Sequence, residues 1–451
     1  MENQFNEENA NNHFFQSTSA KLLMVGLLTL ALLIPLFFVQ DLISERSGRK
    51  KTVQSELSNL WGKDIEFYGP ILKIPYKTIT ETTFTEDLTG KQKIQSVETE
   101  EIAYFFPNEL INNSKIKKNT SLKRGIYNNV VFKASMKFKG NFNIPDFEKL
   151  NLKPENIIWS KASLIVKTTN SKSIKSNFNL LLNDQKFNLE SKTDDDKYYG
   201  TLETSIFDHK LIAKDGKINF DFNMEYNGSN SVTFIPIGKT TKVNIESDWE
   251  SPSFFGMFAA EDATKKISNK GFSADWNVLA INRNFEQQYA SLLPKLTEYS
   301  FGVKLLETVD EYQQNERASK YGFLVIALTF LIFFLIQSIS KVNIHIFQYT
   351  MIGIALIMFY TLLIAITEHS SFSLAYSIAG ISVVVLISLY SISILKGRKF
   401  PVFIGLSLTT LYGFIFVIIQ LEDYALLVGS IGVFAILAIV MYCSSKIDWN
   451  K

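Results

Sequence analysis

The residues best suited to chemistry are scattered along this 451-residue chain rather than grouped. The four histidines, His13, His209, His345 and His369, lack the His-x-His or His-Glu-x-x-His spacing that holds a metal ion. No glycine-rich phosphate-binding loop is present. Asp208 and His209 could form a catalytic triad with a serine, but any chain of this length contains such combinations of residues by chance. The sequence therefore predicts a protein that is not an enzyme, with no catalytic residue, no cofactor and no metal site.

Charged residues beside apolar segments form the second chemically distinctive group. The stretch ERSGRKK follows an apolar run and carries four bases: Arg46, Arg49, Lys50 and Lys51. The stretch ETVDEYQQNERASK precedes the next apolar run and carries the acids Glu307, Asp310, Glu311 and Glu316. We predict two helical stems that pair, basic against acidic. Each exposed pair contributes only about 0–1 kcal/mol and would set register more than stability. Two solvated faces that never meet remain an equal alternative.

A third group could form contacts with other molecules or domains. In SPSFFG, two phenylalanines follow a strand end and are our preferred contact surface, although they could instead fill the core of their own domain. Carboxylates and a histidine at the ends of later apolar runs could meet on one face of the helices, or could simply be solvated loop residues. The candidate interaction residues are Phe254, Phe255, Glu368, His369, Glu422 and Asp423.

Six apolar runs free of Asp, Glu, Lys, Arg and His are long enough to cross a bilayer, which takes about 17–25 residues. The first could be a cleaved signal peptide, but no small-x-small pattern follows Val39, so an uncleaved anchor is favoured. We predict an integral membrane protein with one N-terminal and five C-terminal transmembrane helices, in contact with the lipid bilayer. The runs are Leu22–Val39, Tyr321–Gln337, Tyr349–Ile366, Ser373–Leu395, Val402–Gln420 and Ala425–Cys443.

The polar segment between the first two runs has the alternation typical of β-strands. In KINFDFNMEY, Lys217–Tyr226, every second residue is apolar, which predicts one buried and one wet face. Asn227-Gly228 follows as a hairpin signal before SVTFIPI. We predict a membrane protein of the α+β class, with a large β-rich extracytoplasmic domain, antiparallel and sandwich-like, as one or two subdomains. The helical stems would occupy residues 41–61 and 301–320.

Loop charges predict the orientation. Short loops after alternate apolar runs carry Lys and Arg, and the loops between them carry none, so the positive-inside rule places both termini in the cytoplasm. ERSGRKK favours the opposite orientation. We predict a disordered cytoplasmic tail at residues 1–20, a first transmembrane helix at 21–40, an extracytoplasmic domain at 41–320, five helices at 321–443 and a cytoplasmic tail at 444–451. The net charge of +2 implies no nucleic acid partner.

Several stretches resemble the bacterial inner-membrane protein CreD family, also called cell envelope integrity proteins, over nearly all of the chain after residue 20. The resemblance implies a periplasmic domain between the first helix and a C-terminal helix cluster. It also implies a role in envelope integrity and stress response, under two-component regulation and linked to β-lactams and colicins, through contacts with envelope proteins or lipids. A transporter or lipid-handling protein is the alternative. The matching stretches are LISERSGRKK, WGKDIEFYGPILKIPY, KRGIYNNVVFKA, SDWESPSFFG, AINRNF, FGVKLLETVDEYQQNERASKYG, EDYALLVGS and KIDWN.

Overall fold

The structure is a computed structural model of the chain. It divides into two compact units, which we call the helical unit (Met1–Thr52 with Val309–Lys451) and the β unit (Val53–Thr308). The described residues are 18–85, 92–175, 179–193, 196–212, 216–305, 310–340, 342–395, 399–421 and 424–445.

Six described helices are long and apolar enough to cross a membrane. They confirm the prediction of one N-terminal and five C-terminal spans, and a short seventh helix, α2, precedes the C-terminal group. The helices are α1 (Thr18–Trp61), α2 (Glu311–Lys320), α3 (Gly322–Ser340), α4 (Ile346–Thr367), α5 (Phe372–Leu395), α6 (Lys399–Gln420) and α7 (Ala425–Ser444).

Helix α1 runs unbroken for 44 residues, so the predicted first stem, 41–61, is its second half. Leu32, Leu36 and Ile43 are buried along one stripe at helical spacing, and apolar side chains such as Phe37 are exposed on the other face, where lipid would cover them. The stripe lies so close to α4 that a Cβ at Gly353 would come within 2.2 Å of Leu32 Cδ1. A small residue is therefore needed there, as at many membrane helix contacts.

Sixteen strands are described in the β unit, and fourteen of them follow one hydrogen-bonded path, in the order β12-β16-β10-β1-β5-β8-β7-β6-β9-β4-β3-β11-β14-β13; β2 pairs with β1 beside this path, and β15 pairs with β2. Most pairs are antiparallel as predicted, but β1 with β10 and β3 with β11 are parallel, so the sheet is mixed. The strands are β1 (Ile65–Thr85), β2 (Gln92–Phe105), β3 (Glu109–Arg124), β4 (Tyr127–Asn143), β5 (Ser163–Thr168), β6 (Asn179–Leu182), β7 (Gln185–Lys192), β8 (Gly200–Thr204), β9 (Lys217–Gly228), β10 (Ser231–Phe234), β11 (Thr240–Ser247), β12 (Pro252–Gly256), β13 (Lys266–Ser268), β14 (Gly271–Leu279), β15 (Gln288–Ala290) and β16 (Phe301–Leu305).

The path folds over on itself to enclose one core. Phe67 on β1 and Phe138 on β4 are separated along the path by five strands, yet their rings stack with centroids 4.0 Å apart. Phe222 stacks on Phe138 from the neighbouring strand β9, with centroids 4.8 Å apart. Side chains from both layers join a single buried cluster, as in a sandwich. The predicted sandwich-like packing is present, with one shared core rather than two.

Two local predictions are wrong. Asn227-Gly228 does not make a hairpin, because β9 pairs with β4 and β6 whereas β10 pairs with β1 and β16. The glycine instead permits close packing, since a Cβ on Gly228 would lie 2.5 Å from the ring of Phe132. The predicted stem helix from Phe301 is also wrong, because Phe301–Leu305 form β16; among the described residues of this stem, Glu311–Lys320 are helical.

Candidate functional site

The two charged stems meet at one point within the helical unit. Lys50 Nζ lies 3.1 Å from Asp310 Oδ1 and 5.5 Å from the centroid of the buried Tyr312 ring. Asp310 is also the N-cap of α2, where its side chain accepts a hydrogen bond from the Tyr312 backbone N–H. A negative charge there is favoured by the helix dipole and by the unpaired N–H groups of the first turn. Lys50 therefore binds the carboxylate that begins α2.

A second pair joins α1 to the end of α4. Arg46, one helical turn before Lys50, places Nη1 3.7 Å from Glu368 Oε1. Glu368 is the C-cap of α4, where the unpaired carbonyl groups make a negative side chain unfavourable. The guanidinium of Arg46 offsets that repulsion. The candidate Glu368, predicted from a separate loop, is thus brought together with the candidate stem base Arg46.

An uncharged contact completes this group. Gln40 Nε2 donates to the Ser319 carbonyl near the end of α2, 2.9 Å away, where helix carbonyls lack partners within the helix. We call Gln40, Arg46, Lys50, Asp310, Tyr312 and Glu368 the helix-end cluster. These residues link α1, α2 and the end of α4 through polar contacts.

The remaining stem and loop candidates lie outside this cluster. Arg49 and Lys51 are exposed on α1 and have no ion-pair partner within the described ranges. Glu311 lies in the first turn of α2, Glu316 in its middle, and His369 is exposed after α4. Glu307, Glu422 and Asp423 lie outside the described residues.

The last turns of α1 are fixed to β4 within the β unit. Asn129 Nδ2 donates to the Gln54 carbonyl and to Ser58 Oγ, at 3.1 and 3.0 Å. Trp61 Nε1 donates to the Phe132 carbonyl, 3.2 Å away. The chain then turns at Gly62, whose φ of +154° suits glycine and whose Cβ, if present, would lie 2.1 Å from a backbone oxygen. These contacts use residues of WGKDIEFY and KRGIYNNVVFKA, two of the stretches singled out above.

The SPSFFG pair is divided between core and surface. Phe254 is partly buried and makes edge contacts with Phe272 and Trp276, at ring-centroid distances of 5.6 and 5.8 Å. Phe255 points to the other face of β12, is 37% exposed and lies 5.6 Å beneath Lys304 Nζ. Strand β12 ends the strand path, and β16 is its one partner strand among the described residues. Phe254 therefore packs in the core of its own domain, which was the alternative to a contact surface. Phe255 remains a candidate for surface contacts.

Sequence reasoning missed a buried arginine in AINRNF. Arg283 is 7% exposed, and its guanidinium donates to the carbonyls of Phe285, Ile237 and Gly238 at 3.0–3.2 Å. It also lies 3.8 Å from the Phe285 ring centroid. Burial lowers the pKa of Arg283 to about 10. Neither charge nor spacing in the sequence indicates burial, since most arginines are exposed.

A half-buried glutamate, Glu203, and a buried one, Glu66, were also missed, and they have opposite environments. Glu203 accepts from Lys73 Nζ at 2.7 Å and from Ser163 Oγ at 2.6 Å. Burial alone raises the pKa of Glu203, but these hydrogen bonds and the positive charge of Lys73 outweigh it and lower the pKa overall. Glu66 has no cation at hydrogen-bond distance within the described residues and accepts from the Tyr199 hydroxyl. Burial therefore dominates and raises the pKa of Glu66, although that hydrogen bond opposes it.

The polar side chains described above bind partners within their own unit. Within the described ranges, no three His, Cys, Asp or Glu side chains lie together as a metal site would require. Asp208 caps a short turn by accepting from the Lys210 backbone N–H, which gives it a local structural role.

Comparisons with known proteins agree with the sequence resemblance. A sequence model of the family described as inner membrane protein CreD matches residues 17–450. The inner membrane protein CreD of Escherichia coli K12 is 27% identical over 424 residues, which cover 93% of this chain and 91% of that protein.

Two solved structures match this chain with low structural similarity. A Legionella pneumophila protein described as nutrient-binding matches with a TM-score of 0.24 and 9% identity, over 50% of this chain and 77% of that one. The yeast LTA4 hydrolase matches with a TM-score of 0.18 and 8% identity, over 51% and 35%. Scores this low carry no argument about fold or function.

Proposed function

The chain belongs to the CreD family of inner membrane proteins, and from that premise we propose that it supports bacterial cell envelope integrity through contacts of a periplasmic β unit. It is a multipass membrane protein of the inner membrane. The finer proposal is that both termini are cytoplasmic, that the β unit is periplasmic, and that the protein binds envelope proteins or lipids under stress without catalysing a reaction.

The observation that carries this orientation is the pair between Lys50 and Asp310. The bases of ERSGRKK are the one sequence feature that favours a cytoplasmic β unit. Lys50 is engaged with the cap of α2 and Arg46 with the end of α4, so two of the four bases have structural partners. The alternation of basic and uncharged loops among the later helices then remains as the stronger indication of sidedness.

Cysteine labelling in intact cells tests the orientation. In a Cys443→Ser background, Ser205→Cys adds one exposed thiol to the β unit and Ser445→Cys adds one after α7. We expect a membrane-impermeant maleimide to label Ser205→Cys in intact cells, and Ser445→Cys only after permeabilisation. The reversed pattern would remove both the periplasmic placement and the proposed envelope contacts.

The contact surface is tested by separating the two phenylalanines. Phe255→Ala removes an exposed ring from the edge strand β12, whereas Phe254→Ala removes a ring packed on the core. In cells that lack the chromosomal gene, we expect Phe255→Ala to keep normal abundance but to lose protection against β-lactam. Phe254→Ala serves as the matched control and should lower abundance. Full protection by Phe255→Ala would remove this surface from the proposal.

The alternative, a transporter or lipid-handling protein, has one observation in its favour. The β core is filled by packed aromatic side chains, but the helical unit contains an apolar groove among three membrane helices. The groove favours lipid over a polar solute, since the lining is almost wholly apolar.

A further inference from the structure

Strands β1 and β2 extend beyond the rest of the β unit as a two-stranded ribbon. The first part of β1 pairs with β5 at residues 67–73, whereas residues 77–85 pair with residues 92–100 of β2 and with no other described strand. We call residues 77–85 and 92–100 the ribbon. At about 3.4 Å per residue each of its strands is roughly 30 Å long.

The ribbon exposes apolar side chains on both of its faces. Ile79 lies opposite Glu98 on one face and is 59% exposed, and Val97 lies on the other face and is 41% exposed. A two-stranded ribbon without a packed face is only marginally stable in water. Along residues 77–85 the outer edge of β1 also lacks a ladder partner among the described strands, and an edge of this kind is suited to pairing with another strand.

The charges on this edge select the strand that could pair with it. Lys77 and Glu81 are exposed and lie two residues to either side of Ile79, so the three side chains share one face. If β1 pairs antiparallel with a second copy and Ile79 lies at the centre, position 77 of each copy is opposite position 81 of the other. Lysine then meets glutamate twice, and the two isoleucines contact each other. Charges on an edge strand usually prevent pairing, but these complement a second copy of the same strand.

The contact that Lys77 makes within its own chain is compatible with this arrangement. Lys77 Nζ lies 3.1 Å from Glu98 Oε2, and both side chains are about half exposed. Such an exposed pair is weak. Because the lysine ammonium has three N–H donors, it can contact Glu98 of its own chain and Glu81 of the second copy together.

We propose that the ribbon is a contact between two copies of this chain, in which residues 77–81 of β1 pair antiparallel with the same residues of the second copy. The two ribbons would form one four-stranded sheet in the order β2-β1-β1-β2. The contact lies wholly within the β unit, so it is the same on whichever side of the membrane that unit lies.

Disulfide formation between full-length chains tests the register. In a Cys443→Ser background, membranes that contain Ile79→Cys are isolated and oxidised with copper phenanthroline. Directly opposite residues have Cβ atoms about 4.5–5.5 Å apart, so we expect a disulfide-linked dimer. Val97→Cys is the matched control, because it is exposed on the same ribbon but on β2. Three strand spacings, about 14 Å, would separate the two β2 strands, so this variant should give several-fold less dimer.

Charge reversal tests whether the partner is a second copy. Lys77→Glu and Glu81→Lys each convert two attractive pairs into two repulsive pairs, so the Ile79→Cys dimer should fall about tenfold in either variant alone. The two variants are then produced together with different tags. The mixed dimer places two glutamates of one copy opposite two lysines of the other, and crosslinking between the tags should recover. Glu98→Gln removes only the pair within the chain and should crosslink like the parent.

Four results would overturn the proposal. The first is equal dimer formation by Ile79→Cys and Val97→Cys, or none by either. The second is a dimer that neither charge reversal weakens. The third is a mixed pair that crosslinks no better than each variant alone. The fourth is a disulfide between Ile79→Cys and another protein in place of the dimer.

Discussion

The two units differ in the polar side chains that they bury. In the β unit, Glu66, Lys167 and Arg283 are each less than 10% exposed. In the helical unit, the buried polar side chains of the described residues are all neutral, as with Asn315 and Gln337. Its ion pairs lie instead in the helix-end cluster, after the apolar part of α1 and beside the first turn of α2.

The difference follows from the surroundings of each unit. A β-sheet folded in water can bury a charge if backbone carbonyls or an opposite charge replace the lost hydration, as the carbonyls around Arg283 do. A membrane helix cannot recover hydration from lipid, so charges move to its ends, where water is near. The unit boundary within α1 therefore separates two kinds of core. One is stabilised by burying apolar side chains from water, and the other by packing of helices within lipid.

The largest effect is expected from removing one buried phenylalanine ring from each unit, which tests how the two cores are stabilised. Phe138→Ala should lower the free energy of unfolding of the β unit by about 3–5 kcal/mol, through lost burial and a cavity. Phe330→Ala removes an equally buried ring from α3. It should cost only about 2 kcal/mol, since no transfer from water is lost in lipid. Hydrogen exchange of the full chain in lipid nanodiscs would measure the two units separately. Equal losses would mean that the two cores are stabilised alike.

A smaller effect compares two glutamates of the β unit. Glu203→Gln weakens the contact with Lys73 and should lower the free energy of unfolding at pH 7 by about 2 kcal/mol. Because its folded pKa lies below the usual 4.5, the contribution of Glu203 is present above pH 4.5 and is lost as the pH falls through the folded pKa. The difference between wild type and Glu203→Gln should vanish in acid.

Glu66→Gln should change the free energy of unfolding at pH 7 in the opposite direction from Glu203→Gln. The folded pKa of Glu66 is raised, so the folded state keeps its proton while the unfolded state has lost it, and stability falls as the pH rises above 4.5. Replacing Glu66 by the neutral amide should therefore stabilise the β unit at pH 7. Urea unfolding followed by tryptophan fluorescence is suitable, because Trp61, Trp159, Trp249 and Trp276 all belong to this unit. Destabilisation of both variants at pH 7 would contradict the assigned environments.

The sequence was most informative where one periodicity extended over many residues. The six apolar runs predicted the membrane helices, and the alternation in Lys217–Tyr226 predicted β9, because each pattern is fixed by a single solvent boundary. Strand partners were not predictable in the same way. Asn227-Gly228 has the composition of a hairpin turn, but the choice of neighbour for β10 depends on residues of β1 and β16 far along the chain.

The candidate site was predictable in its chemistry but not in its geometry. Basic and acidic stems indicated a pairing, yet only the folded chain places Lys50 against Asp310 and turns Arg46 towards Glu368. The pairing of these two bases follows from helical phase, since Arg46 and Lys50 are four residues apart and share a face of α1. The helix prediction for residues 301–305 was wrong because it relied on the helical spacing of Leu305, Leu306 and Val309. Phe301 and Val303 instead alternate as in a strand.

The smallest effects are expected from the two ion pairs of the helix-end cluster, which differ in their exposure to solvent. Lys50 is 15% exposed in its side chain and binds a helix cap, so a double-mutant cycle with Lys50→Met and Asp310→Asn should give a coupling of about 1 kcal/mol. Arg46 is 42% exposed, and its cycle with Glu368 should give about 0.5 kcal/mol and decrease in high salt. Arg49→Met, on the exposed face, is the control and should leave α2 amide exchange unchanged. Equal salt sensitivity of both couplings would show that Lys50 and Asp310 are as solvated as a surface pair, and that the stems are held together by the apolar stripe of α1 alone.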